Sequence, residues 1–122
     1  MKNIYTWAAK PAKRSTTVGD LKAAKGKRKF TQVTANTVDE AAAAEKAGFD
    51  MIIANTKNII PVREGSKNLF LTAALVLNEF VTADDIMRGA FKALENGADA
   101  VMTPRSMDIV EMLAKEDVPV MG

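Results

Sequence analysis

Apolar and polar residues alternate in blocks along the chain, and these blocks predict strands and helices in turn. Continuously apolar or β-branched runs are typical of buried strands. Runs with apolar residues three or four positions apart are typical of helices that bury one face. Strands are predicted at 30–35, 50–54, 69–77, 98–102 and 118–121. Because helical runs lie between these strands, the chain is predicted to be an α/β protein with a parallel sheet.

Three of the predicted helices begin at a hydroxyl residue that can cap them. Thr37, with Glu40 three positions later, predicts a capping box. Thr82 is followed by two acidic residues, which favour the positive first turn of a helix. Ser106 is predicted to cap the helix that follows it. These starts fix where the helices between the strands begin.

A short sequence pattern occurs twice and supports this division. Residues 47–53 and 96–102 both contain a glycine, an acidic residue two positions later, and then an apolar run. A glycine ends a helix readily because it adopts positive φ without steric cost. Both segments are therefore predicted to be joints between a helix and the next strand.

Two regions lack a clear pattern. Residues 1–15 are predicted to be an irregular basic leader, since Pro11 argues against one continuous helix. A short amphipathic helix is predicted at 16–25, ended by Gly26. The segment 56–68 has no helical periodicity, so it is predicted to be a loop or a single turn.

Composition and charge exclude several classes of function. The 122 residues include no cysteine and no histidine, which excludes thiolate zinc sites, Ser-His-Asp catalysis and histidine metal ligands. An ionic cofactor would be a hard cation held by oxygen atoms.

Charge is uneven along the chain. The first 29 residues contain nine Lys/Arg and one acidic residue, Asp20, whereas the remainder contains eight Lys/Arg and fourteen acidic residues. A basic arm can bind nucleic acid or an acidic surface, or it can simply be solvated.

No recognisable nucleic-acid module follows this basic arm, so the solvated alternative is favoured and no nucleic-acid partner is predicted. No apolar run approaches the roughly 18 residues that span a bilayer, and no secretory signal is visible. We therefore predict no membrane partner and a cytoplasmic location.

Candidate ligand-binding residues follow the predicted strands, since ligands of α/β sheets bind beyond the carboxyl ends of the strands. Arg105 beside the helix that starts at Ser106 suits a carboxylate or a phosphate. Alternatively, Ser106 only caps its helix and Arg105 points to water. Asn55 and Thr56 either bind a ligand or satisfy loop backbone groups. These four residues are the predicted substrate-binding residues; no catalytic residue and no metal ligand is assigned.

Residues 17–122 resemble the N-terminal half of ketopantoate hydroxymethyltransferases, in the phosphoenolpyruvate mutase and isocitrate lyase superfamily. The resemblance covers most of the chain and rests on joints and strands more than on catalytic residues. The ending at 118–122 is the most specific part, because the family has a "PV-x-G-H" strand there. The matching segments are VGDLK at 18–22, QVTA at 32–35, AGFDMII at 47–53, TADDI at 82–86, ENGADAV at 95–101 and VPVMG at 118–122.

The resemblance implies half of a TIM (β/α)8 barrel at 16–122, with four to five parallel strands, ending inside a strand. It implies aldol-type chemistry of pantothenate biosynthesis, in which a hydroxymethyl group passes from methylenetetrahydrofolate, the co-substrate, to 2-oxoisovalerate with Mg²⁺. The family's two metal-binding aspartates fall on Thr56 and Ala74, its lysine near Met102, and a further carboxylate near Pro104 or Arg105. The acidic metal ligands are thus not matched.

Two functions of different class follow. The first is a divergent hydroxymethyltransferase-like transferase or lyase that acts on a small 2-oxo acid. The second is a non-catalytic half-barrel that serves as an assembly or interaction domain. A half-barrel leaves sheet edges open, and open edges favour pairing with another copy, so a homo-oligomer is predicted.

Overall fold

The computed structural model describes residues 1–122 and contains two sheets and five helices. A small antiparallel sheet pairs β1 (Lys2–Tyr5) with β2 (Pro11–Arg14). The larger sheet is parallel throughout, and its strands lie in chain order. Its strands are β3 (Gln32–Thr34), β4 (Met51–Asn55), β5 (Phe70–Ala74), β6 (Ala100–Met102) and β7 (Val120–Met121). The helices are α1 (Val18–Ala23), α2 (Val38–Ala47), α3 (Ile59–Gly65), α4 (Ala83–Glu95) and α5 (Met107–Lys115).

The α/β prediction is confirmed, and the architecture is that of a partial barrel. Each pair of neighbouring strands in the larger sheet is joined by a crossover that contains a helix. Five parallel strands in sequential order correspond to part of the eight-stranded (β/α)8 arrangement. None of the helices has the length and apolar character of a membrane-spanning segment.

The core lies between the sheet and the helices on its outer face. Successive side chains of a strand point to opposite faces, so Ile52, Leu71 and Val101 share the outer face. There they form one buried cluster with helix residues such as Ile86 and Leu113. Full burial of a large aliphatic side chain contributes about 1.5–3 kcal/mol, so this layer supplies much of the driving force for folding.

A helix covers the opposite, inner face of the sheet only near the amino ends of the strands. Met51, Phe70 and Ala100 are buried there against Val18 and Leu21 of α1. Helix α1 therefore closes one end of the inner face. Toward the carboxyl ends of the strands, Ile53 and Met102 remain partly exposed.

The predicted helix starts are largely confirmed. Thr17 and Thr82 each form a full capping box, with Asp20 and Asp85 respectively. The hydrogen bond from the Thr82 amide holds the pKa of Asp85 below its usual value. Thr37 accepts the amide of Glu40, as predicted, at 3.1 Å.

The return bond of the capping box predicted at Thr37 is wrong. The carboxylate of Glu40 accepts a hydrogen bond from the amide of Asn36 at 2.8 Å, and not from the amide of Thr37 as a capping box requires. The Thr37 hydroxyl and the Glu40 carboxylate thus accept the amides of Glu40 and Asn36, which have no partner within the helix. The start of α2 is therefore stabilised, but by a different pair of hydrogen bonds from the one predicted.

Residues 1–15 differ from the predicted irregular leader, because β1 and β2 form a hairpin there. Pro11 is the first residue of a strand with one neighbour, a position where its missing N–H is tolerated. The hairpin is attached to the sheet by a hydrogen bond from the Ser15 amide to the Asn68 carbonyl, at 2.9 Å. The division into 1–15 and 16–122 remains a prediction.

The loop predicted at 56–68 is also wrong. One turn of 3-10 helix at Thr56–Asn58 leads directly into α3. Pro61 is the third residue of α3, where a backbone N–H has no partner within the helix, so the proline costs nothing there. Gly65 lies so close to α2 that an added Cβ would be 2.1 Å from the Val38 carbonyl oxygen. Tertiary packing therefore holds this short helix in place.

The two glycine–acid joints have the same construction. Gly48 and Gly97 have φ of +86° and +113°, and each follows the end of a helix. The acid that follows then binds a neighbouring strand segment: Asp50 accepts the amide of Thr31, and Asp99 accepts the amide of Leu71. The repeated acids thus fix strand register at the amino ends of the strands.

Asp99 also forms a largely buried ion cluster. Its carboxylate accepts Nε of Arg14 at 2.9 and 3.0 Å and Nη2 of Arg63 at 2.9 Å. Burial lowers the pKa of Arg63 to about 10, so the guanidinium stays charged at neutral pH. The cluster ties the hairpin and α3 to the start of β6.

Candidate functional site

The carboxyl ends of the five strands lie together at one end of the larger sheet, which we call the carboxyl edge. Asn55 pairs with Ala74, which pairs with Met102, and Met102 pairs with Met121. The loops that carry Thr56, Arg105 and Ser106 leave from this edge. The structure therefore places all four predicted site residues at the same end of the sheet, with β5 between the two pairs.

Asparagine side chains organise the loop after β4. Oδ1 of Asn36 accepts the Asn55 amide at 2.9 Å and Nδ2 of Asn58 at 3.1 Å. Oδ1 of Asn55 accepts the Lys57 amide at 3.1 Å and so caps the 3-10 turn. Oδ1 of Asn55 thus accepts hydrogen bonds only from the loop that follows it, whereas Nδ2 of Asn55 donates to no protein atom.

Asn58 was not among the predicted residues, and its contact with Asn36 could not be read from the chain. The two residues lie 22 positions apart and meet only because β3 and β4 are neighbours.

Arg105 is directed at the loop between β5 and α4. Its Nη2 donates to the Leu77 carbonyl at 2.9 Å and to the Phe80 carbonyl at 3.1 Å. Its amide donates to the hydroxyl of Thr103 at 3.2 Å. Nε is buried without a partner, and Nη1 makes no hydrogen bond. The guanidinium therefore fixes one loop and retains donors of its own.

Ser106 occupies the N-cap position of α5, but its side chain makes no capping hydrogen bond. The predicted capping by this hydroxyl is therefore wrong. The residue is exposed, so its hydroxyl and the first amides of the nine-residue helix are accessible to a ligand.

The strand residues of this edge carry no carboxylate, and Glu79 of the loop after β5 shares a cavity with Thr56. Thr103 is buried, and Thr72 is fully buried on the inner face with a hydroxyl that has no partner. Ala74 and Met102 complete the edge. The arrangement offers hydrogen-bond donors and the Arg105 guanidinium, which suit an anionic ligand.

The residues present do not fit a magnesium site. Mg²⁺ is bound in proteins through one or two carboxylates. No group of three or more acidic, histidine or cysteine side chains comes together anywhere in the chain. At the edge itself the positions that correspond to the family's metal-binding aspartates are Thr56 and Ala74, and neither supplies an anionic oxygen.

The largest cavity does not coincide with the predicted site. The largest, about 650 Å³, lies at the inner face between α1 and β7, lined by Leu21, Phe70 and Met121 among others. A smaller one of about 290 Å³ includes Thr56 and Lys57. We place the candidate site at the carboxyl edge because ligand sites of this fold class occur there, whereas the largest cavity is mainly apolar.

Comparison with known proteins places the chain near one group of enzymes. Relatives include proteins of Pyrococcus furiosus (28% identity, 80% of this chain and 44% of the relative), Deinococcus radiodurans (32%, 76% and 42%) and Pyrobaculum calidifontis (30%, 90% and 51%). The chain is similar to 3-methyl-2-oxobutanoate hydroxymethyltransferases. It spans about half the length of these curated relatives. No protein-family profile matches it.

A solved structure supports the fold. The structure assigned as a deoxyribose-phosphate aldolase from Coccidioides immitis superposes with a TM-score of 0.62 and 20% identity, over 84% of this chain and 54% of that chain. At this identity the likeness concerns the fold alone. The resemblance to hydroxymethyltransferases and the partial barrel are both confirmed, while the roles of Asn55, Thr56, Arg105 and Ser106 remain predictions.

Proposed function

We propose that the chain is a divergent hydroxymethyltransferase-like protein of the cytoplasm that binds a small 2-oxo acid for aldol-type C–C chemistry. The observation that carries this proposal is the similarity to four 3-methyl-2-oxobutanoate hydroxymethyltransferases. The donors at the carboxyl edge of the sheet, with the Arg105 guanidinium among them, support it, because a 2-oxo acid presents only acceptor oxygens at neutral pH.

Each predicted residue has a binding role in this proposal. The Ser106 hydroxyl, the first amides of α5 and Nη1 of Arg105 hold the carboxylate of the 2-oxo acid. Nδ2 of Asn55 donates to the oxo oxygen and polarises the carbonyl. The Thr56 hydroxyl, which donates to Oδ1 of Asn55 at 3.5 Å, turns to the oxo oxygen when the ligand binds. The Arg105 contacts to Leu77 and Phe80 keep the guanidinium in place.

The same residues also limit the chemistry. Removal of a proton from the carbon beside the oxo group needs a general base. Lys57, Glu79 and Lys92 share a cavity with Thr56, but none of their side chains forms a hydrogen bond with the four site residues, and none is assigned as that base. Residues 1–122 therefore supply binding and orientation, and no step through Mg²⁺ or methylenetetrahydrofolate is assigned to them.

An NMR titration of the 122-residue chain with 3-methyl-2-oxobutanoate tests the proposal. The amides of Thr56, Arg105 and Ser106 are expected to shift together with one dissociation constant. Loss of one hydrogen bond to a charged group costs about 1.5 kcal/mol, so Ser106→Ala should weaken binding about tenfold. Ser15→Ala, which removes an exposed hydroxyl near the amino ends of the strands, is the matched control. Unchanged spectra at millimolar 2-oxo acid would refute the proposal.

A second function, an assembly domain without catalysis, is favoured by a separate observation. Within residues 1–122, β3 and β7 each pair with one strand, and α1 covers the inner face of the sheet at one end only. Such surfaces pair readily with other protein surfaces. A chain that binds no 2-oxo acid but associates stably would support this function.

A further inference from the structure

A cavity of about 570 Å³ lies between the hairpin and α3. Its volume is within the range of about 300–1,000 Å³ that small-molecule sites occupy. β2 and the turn before it form one wall, α3 and the residues that follow it form another, and the joint between α4 and β6 completes the lining. No residue of β3 or β7 lines it, so the cavity does not depend on the outermost strands of the larger sheet.

Cationic side chains dominate this cavity, which we call the basic cavity. Five of them line it, whereas Glu64 supplies the single carboxylate: the cations are Lys10, Lys13, Arg14, Arg63 and Lys67. The three lysines are exposed, and none of them forms an ion pair within the chain. The cations outnumber the carboxylates even when Asp99, which pairs with both arginines, is counted. Such a concentration of positive charge attracts anions.

Arg14 provides a second observation that points to a ligand. Its side chain is only 4% exposed, and its Nε and Nη1 donate to Asp99 and to the carbonyls of Lys13 and Lys67. Its Nη2 donates to no protein atom, yet this nitrogen is not sealed from solvent. Arg14 also lines a cavity of about 290 Å³, but that one is mainly apolar and contains the Asp99 carboxylate. The basic cavity is therefore where the free donor of this fixed guanidinium suits an anion.

The two walls of the basic cavity are tied to each other by hydrogen bonds. Nδ2 of Asn68 donates to the Lys13 carbonyl at 3.1 Å, and Nη1 of Arg14 donates to the Lys67 carbonyl at 2.9 Å. These bonds hold the backbones of Lys13 and Lys67 beside each other although they belong to different walls. An anion between the two ammonium groups therefore needs no large rearrangement of the chain, which favours binding.

A ligand with several phosphate groups fits these features. A phosphate group carries roughly two negative charges and three acceptor oxygens at neutral pH, so a molecule with two of them can contact both walls at once. A carboxylate carries only one charge. The lining contains no aromatic side chain, so a nucleobase would have nothing to stack on.

We propose that the basic cavity binds a small molecule with two or more phosphate groups. Nη2 of Arg14 and the ammonium groups of Lys13 and Lys67 hold the phosphates. The cavity lies at the amino ends of β5 and β6, at the opposite end of the sheet from the carboxyl edge. This inference does not depend on the proposed 2-oxo acid binding.

Isothermal titration calorimetry of the 122-residue chain with inorganic pyrophosphate tests the proposal. We expect saturable binding at one site per chain, which weakens as salt is raised because charges are screened. Orthophosphate, and citrate as a carboxylate of comparable charge, should bind less tightly. Absence of heat at millimolar pyrophosphate, or equally tight binding of citrate, would overturn the proposal. Tighter binding of a short RNA than of pyrophosphate would also overturn it, in favour of a nucleic acid.

NMR separates this outcome from that of the proposed function. Pyrophosphate should shift the amides of Lys13, Lys67 and Asn68. The amides of Thr56 and Ser106, which report on the 2-oxo acid, should stay unchanged. The reverse pattern would place the anion at the carboxyl edge and refute the basic cavity as its site.

Removing two lysines identifies the walls of the site. Lys13→Gln with Lys67→Gln should raise the pyrophosphate dissociation constant at least tenfold, because the loss of one charge-assisted hydrogen bond corresponds to about a factor of ten. Lys27→Gln with Lys29→Gln is the matched control, since it removes two exposed, unpaired lysines outside the cavity. Equal losses in the two double variants would show a general effect of net charge and would contradict the proposal.

Glu64→Gln is a test of opposite sign. Glu64 is exposed and forms no ion pair, so its replacement removes only a repulsion between the cavity and the phosphates. Pyrophosphate should then bind about two- to fivefold more tightly. Unchanged or weaker binding by this variant, with its fold intact by circular dichroism, would count against phosphates in the basic cavity.

Discussion

Replacing Asp99 by asparagine tests the ion cluster at the amino ends of the strands. The carboxylate accepts Arg14, Arg63 and the Leu71 amide within 3.0 Å, and the side chains of Arg14, Arg63 and Asp99 are 4%, 14% and 11% exposed. Asparagine preserves the size of the side chain but removes the negative charge between two buried guanidinium groups. Breaking a buried ion pair on one side costs about 3–5 kcal/mol, so we expect Asp99→Asn to lower the free energy of unfolding by that amount.

Asp50→Asn is the matched control, because Asp50 occupies the same position in the other glycine–acid joint. Its ion-pair partner Arg28 is 60% exposed, and an asparagine oxygen can still accept the Thr31 amide. An exposed ion pair contributes about 0–1 kcal/mol, so the expected loss is about 1 kcal/mol or less.

Urea denaturation followed by circular dichroism measures both losses, and fluorescence of Trp7, which stacks on Phe91, reports on the hairpin. Equal losses in the two variants, or a loss below about 1 kcal/mol for Asp99→Asn, would refute the argument that burial of Arg14 and Arg63 sets the magnitude. The double replacement of Arg14 by methionine and Asp99 by asparagine should recover part of the loss, because it removes one of the two unpaired charges.

Three further predictions concern single sites. The pKa of Asp85 is lower in the folded chain than in the unfolded chain, so its stabilisation of α4 is present above the unfolded pKa and is lost as pH falls through the folded value; Asp85→Asn should flatten an acid-denaturation curve below pH 4. Gly65→Ala should cost about 1–3 kcal/mol in urea denaturation, since its Cβ would be 2.1 Å from the Val38 carbonyl oxygen, whereas Gly19→Ala, with no atom closer than 3.7 Å, should be neutral or stabilising. Thr72→Val should preserve or raise the melting temperature, because the buried Thr72 hydroxyl has no partner; a loss above 1 kcal/mol would indicate a hydrogen bond to bound water.

Much of the fold could be predicted because its signals are local. The caps at Thr37 and Thr82 and the stops at Gly48 and Gly97 act within a few residues along the chain, so they appear directly in the sequence. The apolar runs likewise predicted all five strands of the larger sheet, although the structure makes most of them shorter.

The misses have a different physical cause. α3 has Pro61 near its start and only seven residues, so it shows no helical periodicity; the close approach of Gly65 to α2 holds it. The hairpin at the amino end was missed because its attachments, such as Arg14 to Asp99, join residues 85 positions apart. Such contacts exist only after the chain has returned on itself.

For the candidate site, too, the position of the residues could be predicted from the sequence, whereas their side-chain contacts could not. The order of strands and helices alone placed Asn55, Thr56, Arg105 and Ser106 at one edge, because parallel strands end on the same side of a sheet. The tertiary structure decided what each side chain does there. Arg105 donates to the carbonyls of Leu77 and Phe80 because the loop after β5 lies beside it, although these residues are 28 and 25 positions away in sequence.

The sequence by itself therefore determined the class of fold, the starts of α2 and α4, and the end of the sheet at which Asn55, Thr56, Arg105 and Ser106 lie. Only the tertiary structure decided which polar groups are already paired and which remain free. The reason is that backbone conformation follows from neighbours in sequence, whereas hydrogen bonding and exposure follow from neighbours in space.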